Sequence, residues 1–209
     1  MNINKVGHPI TKRLGRRRRK KERNKMKYID YALKKSLINN LFTICPFPSK
    51  ELTESMSIIF AIKRYREIDK MRYNKNIVVY CLGDGVTPRT ASLLASSSHW
   101  DIHSIDLALN NKRLQKRLKG MPDYMSRVHI HPIKSEEFTD IKSDCKLSII
   151  VAVHSHAPFE EFWNRVPSPK IAFTVPCCIP HSISGLDPIE VYEDKYIDGA
   201  KRTVMIWKQ

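Results

Sequence analysis

Three apolar runs rich in β-branched residues constrain the fold of this chain more than any other feature. They are NIVVYCL (76–82), KLSIIVAVH (146–154) and KIAFTVPCC (170–178). Each is typical of a strand buried on both faces, and segments with helical patterning separate them. Strands that alternate with helices pair in parallel through right-handed crossovers. The sequence therefore predicts an α/β fold whose sheet is covered on both sides.

Four weaker strand signals complete the predicted sheet. WDIHSIDL (100–107) alternates apolar and polar residues, and RVHIHPI (127–133) has a similar pattern. The final segment, IEVYEDKYIDGAKRTVMIWK (189–208), holds two strand-like runs across a turn near Asp198 and Gly199. We therefore predict a mostly parallel seven-stranded sheet that ends in a C-terminal antiparallel hairpin.

A strongly basic arm precedes this domain. The first 35 residues hold fourteen Lys and Arg against two acidic residues, so they carry +12 of the net charge of +16. We expect residues 1–27 to be disordered until bound, because they have little apolar surface to offset the entropy of ordering. Counterion release favours nucleic acid as the partner, RNA more than DNA. The predicted contact residues are Arg16, Arg17, Arg18, Arg19, Lys20 and Lys21. A nuclear-import signal, a mitochondrial targeting segment and an acidic protein partner are the alternatives.

Two helices are predicted between the arm and the sheet, which gives segments of 1–27, 28–70 and 71–209. Apolar residues recur every four positions from Tyr28 to Phe42, and CPFPS then ends this first helix. Ser49 is expected to cap the second helix. No run of eighteen apolar residues occurs, and five cysteines in mostly apolar contexts are typical of reduced thiols. We expect an intracellular protein, cytoplasmic or nuclear, with a mitochondrial location as the alternative.

The stretch CLGDGVTPRTASLLA joins the first buried strand to a helix through two closely spaced glycines. Gly83 and Gly85 allow a ligand to approach the backbone, and Thr87 is placed to cap the helix, whose free amides bind anions. Arg89 opposes the helix dipole, so it either points into solvent or meets an anionic group. Such a turn also requires glycine for steric reasons alone, and both interpretations remain open at this point.

The second strand of the predicted sheet ends in Asp106, about twenty residues after the glycines. A carboxylate at this position can accept hydrogen bonds from both ribose hydroxyls of an adenosine-containing ligand. The alternative is a carboxylate near the cap of the following helix.

The order of these features resembles the class I S-adenosylmethionine-dependent methyltransferases, over roughly residues 76–209. GDGVTPRTA is similar to an uncharacterised methyltransferase-like branch. The family's usual acid before the first glycine is replaced by Cys81, and its third glycine by Thr87. Asp84 is the candidate to replace the missing acid. The resemblance implies S-adenosylmethionine as the cofactor, with these contacts: Gly83, Asp84, Gly85, Thr87, Arg89 and Asp106.

Histidines and cysteines follow two later strands. His154 and His156 follow the fourth, and Cys177 and Cys178 follow the fifth in a Pro-Cys-Cys sequence. This pairing resembles a subset of RNA-modifying methyltransferases that place a His and a Cys-Cys pair in the catalytic cleft. The resemblance implies that His154 and Cys177 line the methyl-transfer site, beside Cys178, with His156 or His181 as a possible base.

Chemistry alone leaves four roles open for this group of residues. They are thiolate attack on a pyrimidine, a zinc site, non-covalent orientation of the substrate, and plain packing. The zinc alternative would use Cys177, Cys178, His154 and His181, but adjacent cysteines lack the usual two-to-four-residue ligand spacing. We therefore predict no metal site.

The favoured function is a methyltransferase that acts on RNA. The alternative is a catalytically inactive methyltransferase-like protein that serves as an RNA-binding or structural component of a ribonucleoprotein particle.

Overall fold

A computed structural model describes residues 27–34, 47–109 and 112–209. Residues 27–34 are helical and are called α1. The predicted nucleic-acid contacts at positions 16–21 lie outside the described residues, as does the remainder of the predicted first helix beyond residue 34.

Helices and strands alternate along the rest of the chain, as the apolar runs predict. The helices are α2 (Pro48–Arg64), α3 (Arg66–Lys70), α4 (Arg89–Ser97), α5 (Lys112–Leu118) and α6 (Phe159–Arg165). The strands are β1 (Ile77–Leu82), β2 (Asp101–Ile105), β3 (Val128–His131), β4 (Leu147–Val153), β5 (Lys170–Val175), β6 (Glu190–Glu193) and β7 (Thr203–Lys208).

The seven strands form one sheet in the order β3-β2-β1-β4-β5-β7-β6. The five strands from β1 to β5 pair in parallel, whereas β7 is antiparallel to both β5 and β6. Every residue of β1 and of β5 is buried. The predicted fold class is confirmed, including the C-terminal antiparallel hairpin.

Apolar side chains cover both faces of the sheet, because neighbouring residues of a strand point to opposite sides. Val79 belongs to a cluster with Met56 of α2 and Leu93 of α4. The next residue, Tyr80, belongs to a second cluster that contains Trp163 of α6. Helix α2 is therefore part of the same core as the sheet.

The start of α2 differs from the prediction. Phe47 is the N-cap, and Pro48 occupies the first helical position, where its missing N–H is not needed. Ser49 therefore lies inside the helix, and its hydroxyl donates to Asp198 Oδ2 at 3.0 Å. The second helix of the 28–70 segment ends at Arg64, and a further short helix, α3, follows Tyr65.

Within the described part of the chain, no helix is both long enough and apolar enough to cross a bilayer.

Candidate functional site

The carboxyl ends of β1, β2, β4 and β5 meet at one edge of the sheet, which we call the carboxyl edge. The chain runs from β1 outward to β2 and β3, then returns to the other side of β1 as β4. The strand order therefore reverses beside β1, and ligands of open α/β sheets bind at such a point. The segments that begin at Gly83, Asp106, His154 and Pro176 leave the sheet here.

Both glycines of the turn after β1 are required by its geometry. Gly83 has a φ of 66° and Gly85 a φ of 79°, values that L side chains rarely adopt. A Cβ on Gly83 would lie 2.5 Å from Ser155 Oγ, and one on Gly85 would lie 3.0 Å from Arg89 Nη2. The turn thus packs closely against the segment after β4 and against the start of α4.

Asp84 binds the first turn of α4. Its carboxylate accepts hydrogen bonds from the backbone N–H of Thr90 at 2.9 Å, from that of Ala91 at 3.1 Å and from the Ser104 hydroxyl at 3.0 Å. Burial raises the pKa of Asp84, although Arg89 and these hydrogen bonds act in the opposite direction. The prediction that Thr87 caps this helix is wrong: Pro88 is the N-cap, and the capping carboxylate comes from further back in the turn.

Arg89 forms an ion pair with Glu51 of α2. Both side chains are less than one-fifth exposed. Of the two alternatives for Arg89, the structure supplies the anionic partner, and that partner is a residue of the chain itself.

Asp106 is half-buried directly after β2 and binds two backbone amides. Its Oδ2 accepts the N–H of Gly85 at 2.8 Å, and its Oδ1 accepts the N–H of Ala108 at 2.7 Å. A carboxylate has about four lone-pair positions, so each oxygen retains one. Asp106 therefore stabilises the glycine turn and still has acceptor capacity for a ligand.

A cavity of about 310 Å³ lies at this part of the carboxyl edge. It is lined by Gly83, Ile105 and Asp106, which follow or end β1 and β2, and by His156 and Ala157, which follow β4. Gly83 and Asp106 are thus the predicted cofactor contacts that reach the cavity, while Asp84 and Thr87 are buried within the turn. We call this space the first cavity.

A second cavity of about 810 Å³ adjoins the first. The two share four lining residues, namely Glu136, His156, Ala157 and Pro158. Phe159 and His181 line the second cavity but not the first. Their rings stack with centroids 5.1 Å apart, and His181 Nε2 lies 3.2 Å from the Ser155 carbonyl oxygen. Both volumes fall within the range of about 300–1,000 Å³ found for small-molecule sites.

Three of the four predicted catalytic residues come together beside these cavities. His156 Nε2 lies 3.2 Å from both Cys177 Sγ and Cys178 Sγ, and the two sulfur atoms are 3.5 Å apart. His156 and Cys178 are exposed, and Cys177 is half-buried. Burial opposes ionisation of Cys177, but the backbone amides of Ile179 and Cys178 and the neighbouring side chains outweigh it and lower its pKa to about 6. We call these three residues the His–Cys–Cys cluster.

His154 takes a different direction from the other three. It has a φ of 51°, and its Nε2 lies 3.0 Å from Oε1 of Glu54, a buried residue of α2. Sequence reasoning missed Glu54, because a single acid on an otherwise apolar helix stripe does not reveal its partner. The same holds for Glu51 as the partner of Arg89.

Comparison with known proteins supports the fold. No protein-family model matches the chain, and no curated protein matches it. Phosphoethanolamine N-methyltransferase 1 of Haemonchus contortus, solved with phosphoethanolamine and S-adenosylhomocysteine, is similar with a TM-score of 0.50 and 11% identity. That match covers 90% of this chain and 49% of the other, so this chain spans about half the length of that enzyme.

Two further solved structures show weaker likeness. A variant of MtNAS in complex with S-adenosylmethionine has a TM-score of 0.49 and 12% identity over 90% of this chain and 77% of that one. A TehB-like SAM-dependent methyltransferase from Corynebacterium glutamicum has a TM-score of 0.45 and 14% identity over 73% and 97%. Together with the strand order, the likeness to the phosphoethanolamine enzyme shows that this chain has the Rossmann-like fold of the class I S-adenosylmethionine-dependent methyltransferases.

Proposed function

We propose that the protein is an S-adenosylmethionine-dependent methyltransferase that binds its cofactor in the first cavity. The observation that carries this proposal is the position of that cavity. On a methyltransferase fold, it lies at the reversal of strand order and is lined by both Gly83 and Asp106. When bound, the cofactor supplies an electrophilic methyl group on a sulfonium centre.

The side chains around the first cavity fit such a ligand. Asp106 retains lone pairs toward the ribose hydroxyls, and Gly83 presents backbone without a side chain. Ile105, Leu107 and Ile133 provide apolar lining for a purine ring. Cys81, which replaces the family's usual acid, is buried in β1, and burial raises the pKa of its thiol. Binding therefore depends on Asp106 more than it would if that acid were present.

The second cavity suits the methyl acceptor. It shares His156 and Pro158 with the first, so an acceptor held there meets the methyl group at the common boundary. For a nucleophile that already has a free lone pair, positioning next to the methyl group is the main requirement. His156 of the His–Cys–Cys cluster lines both cavities, and we expect it to orient the acceptor together with the two cysteines it contacts.

RNA is the acceptor class that the charge distribution favours. The arm at residues 1–35 carries +12, whereas the remaining residues together carry only +4. Such an arm binds phosphates without regard to sequence and brings a bound strand close to the domain that follows. We propose residues 16–21 as phosphate contacts, in a protein that acts on RNA alone or within a ribonucleoprotein particle.

Calorimetry with S-adenosylmethionine and S-adenosylhomocysteine tests the cofactor proposal. We expect micromolar binding to the full chain and at least about tenfold weaker binding to Asp106→Ala, since two hydrogen bonds are worth about 1–3 kcal/mol. Asp123→Ala, which removes an exposed aspartate from a 3-10 turn, should bind as the unmodified chain does. The absence of heat at high ligand concentration would overturn the proposal.

Deletion of residues 1–26 tests the role of the arm. The deletion stops before Lys27, because the Lys27 Nζ lies 4.6 Å from the centroid of the Tyr196 ring. We expect RNA affinity to fall and the dependence of log affinity on log salt to flatten by roughly 0.7 per lost phosphate contact with a single strand. Replacement of residues 16–21 by glutamine should give part of the same effect. An unchanged salt slope would refute the proposed role.

A further inference from the structure

We infer that His156, Cys177 and Cys178 bind a zinc ion with one coordination position open to the boundary between the two cavities. Within residues 27–34, 47–109 and 112–209, this is the one group of His, Cys and acidic side chains whose ligand atoms lie close enough together to hold a metal. Two sulfur atoms and one imidazole nitrogen are ligands that zinc prefers.

The separations of the three ligand atoms fit a tetrahedral zinc site. Bonds of about 2.3 Å to sulfur and about 2.0 Å to nitrogen place tetrahedral sulfurs about 3.8 Å apart, and sulfur about 3.5 Å from nitrogen. The observed separations are 3.5 Å between the sulfurs and 3.2 Å from His156 Nε2 to each. Each is shorter by only about 0.3 Å, a difference that small side-chain rotations remove.

Hydrogen bonding alone accounts less well for this arrangement. A neutral imidazole has one acceptor nitrogen, which can accept from one thiol, yet His156 Nε2 lies equally close to two. A disulfide is also absent, since the sulfur separation of 3.5 Å is far above the bond length of about 2.05 Å. A cation among the three atoms explains why all three separations are short.

Three protein ligands and an accessible position are characteristic of catalytic zinc rather than structural zinc. His156 lines both cavities, and His156 and Cys178 are exposed. His181, an expected ligand in the zinc alternative, is instead held by Phe159 and the Ser155 carbonyl, and His154 pairs with Glu54. The fourth position is therefore open to water or to an acceptor that offers oxygen, nitrogen or sulfur.

The role of this open position rests on the proposed function, whereas the metal site itself does not. Two thiolates balance the charge of Zn²⁺, so the site attracts a neutral or singly negative ligand. An acceptor bound there would hold its lone pair beside the first cavity. The zinc site thus offers a means of orienting the acceptor that requires no side-chain base.

Zinc titration of the full chain tests the inference. The protein is reduced, stripped with a chelator and titrated with ZnCl₂ against a chromophoric competitor, and its metal content is measured by mass spectrometry. We expect one zinc per chain. Cys177→Ser, Cys178→Ser and His156→Ala should each weaken binding at least tenfold, whereas Cys145→Ser should not. Cys145 is a matched control, since it is a half-buried free thiol whose sulfur lies 3.2 Å from Ser148 Oγ.

Cobalt substitution provides a measurement that needs no variant. Co²⁺ bound to two thiolates in a tetrahedral site gives a thiolate charge-transfer band and intense visible bands, which zinc should abolish. Absence of zinc binding, equal zinc affinity in the three variants, binding of Cu⁺ alone, or a Cys177–Cys178 disulfide that persists with zinc present would each overturn the inference.

Calorimetry with S-adenosylmethionine on zinc-loaded and stripped protein separates the two proposals. Cofactor binding without zinc binding would defeat the zinc site alone. Zinc binding without cofactor binding would defeat the proposed function alone.

Discussion

The two halves of the carboxyl edge use their polar side chains differently. After β1 and β2, Asp84 and Asp106 together accept four backbone N–H groups, so the acids hold the turn in shape. After β4 and β5, the side chains of the His–Cys–Cys cluster contact one another and stabilise no turn, and two of the three, His156 and Cys178, are exposed. We call these the turn half and the cluster half.

Residues of the turn half mainly hold the site in shape, whereas residues of the cluster half are available to bind a ligand. An acid whose oxygens bind buried amides cannot be removed without leaving those amides unpaired. An exposed thiol or imidazole can be removed at little cost to folding, because water replaces its contacts. We therefore expect substitutions in the turn half to lower stability, with Asp106→Ala weakening cofactor binding as well. Substitutions in the cluster half should change ligand binding with little loss of stability.

The largest expected effect on stability comes from Gly83→Ala. The new Cβ would lie 2.5 Å from Ser155 Oγ, on a backbone with a φ of 66°. Backbone strain and overpacking together should lower the free energy of unfolding by about 3 kcal/mol in urea denaturation.

Gly120→Ala is the control, since its φ is 78° but no atom lies within 4 Å of the new Cβ. Gly120→Ala should lower the free energy of unfolding by about 1 kcal/mol. Equal losses would show that close packing at Gly83 is unimportant.

Asp84→Ala should lower the free energy of unfolding by about 2 kcal/mol. It leaves the amides of Thr90 and Ala91 without their acceptor in a buried position. His156→Ala in stripped protein should cost less than about 0.5 kcal/mol, as expected for an exposed side chain. The comparison of the two halves fails if His156→Ala destabilises the protein as much as Asp84→Ala does.

A third predicted effect is a loss of stability in acid that originates in the β2–β3 pair next to the turn half. Burial lowers the pKa of His103 to about 4, and the pKa of its neighbour His131 is also lowered by burial. His103 Nδ1 lies 3.0 Å from His131 Nε2, and His129 and Asp101 also face this group. Asp101 favours protonation of His103, while His129 and His131 oppose it.

The direction of this pH dependence follows from the uptake of a proton by His103. The unfolded chain protonates His103 near pH 6.5 and the folded protein only near pH 4, so stability falls as the pH decreases between these values. The free energies of unfolding measured by urea denaturation at about pH 7 and about pH 5 should differ by up to about 2 kcal/mol. His103→Gln should reduce that difference, and His99→Gln, at an exposed position, should not. An unchanged difference in His103→Gln would place the acid sensitivity elsewhere.

Sequence reasoning predicted the sheet because its strands are continuous apolar runs such as that of β5, whose burial does not depend on distant partners. It also placed Gly83 and Asp106 at one edge, since the carboxyl ends of parallel strands meet there. Side-chain direction in the turns could not be predicted in this way. The φ of 51° at His154 turns the chain, so that His156 rather than His154 reaches the cysteines. The cap from Asp84 depends likewise on the course of the turn, and no local pattern distinguishes it from Thr87.

The two acids of α2 have a consequence for how the protein can be divided. Glu51 pairs with Arg89 in the turn half, and Glu54 lies against His154 at the end of β4. A fragment that begins after α3 would lose both acids and would expose the apolar surface that Met56 and Ile59 now cover. Helix α2 thus connects the start of α4 to the end of β4 at the carboxyl edge. Expression fragments should therefore begin before Phe47.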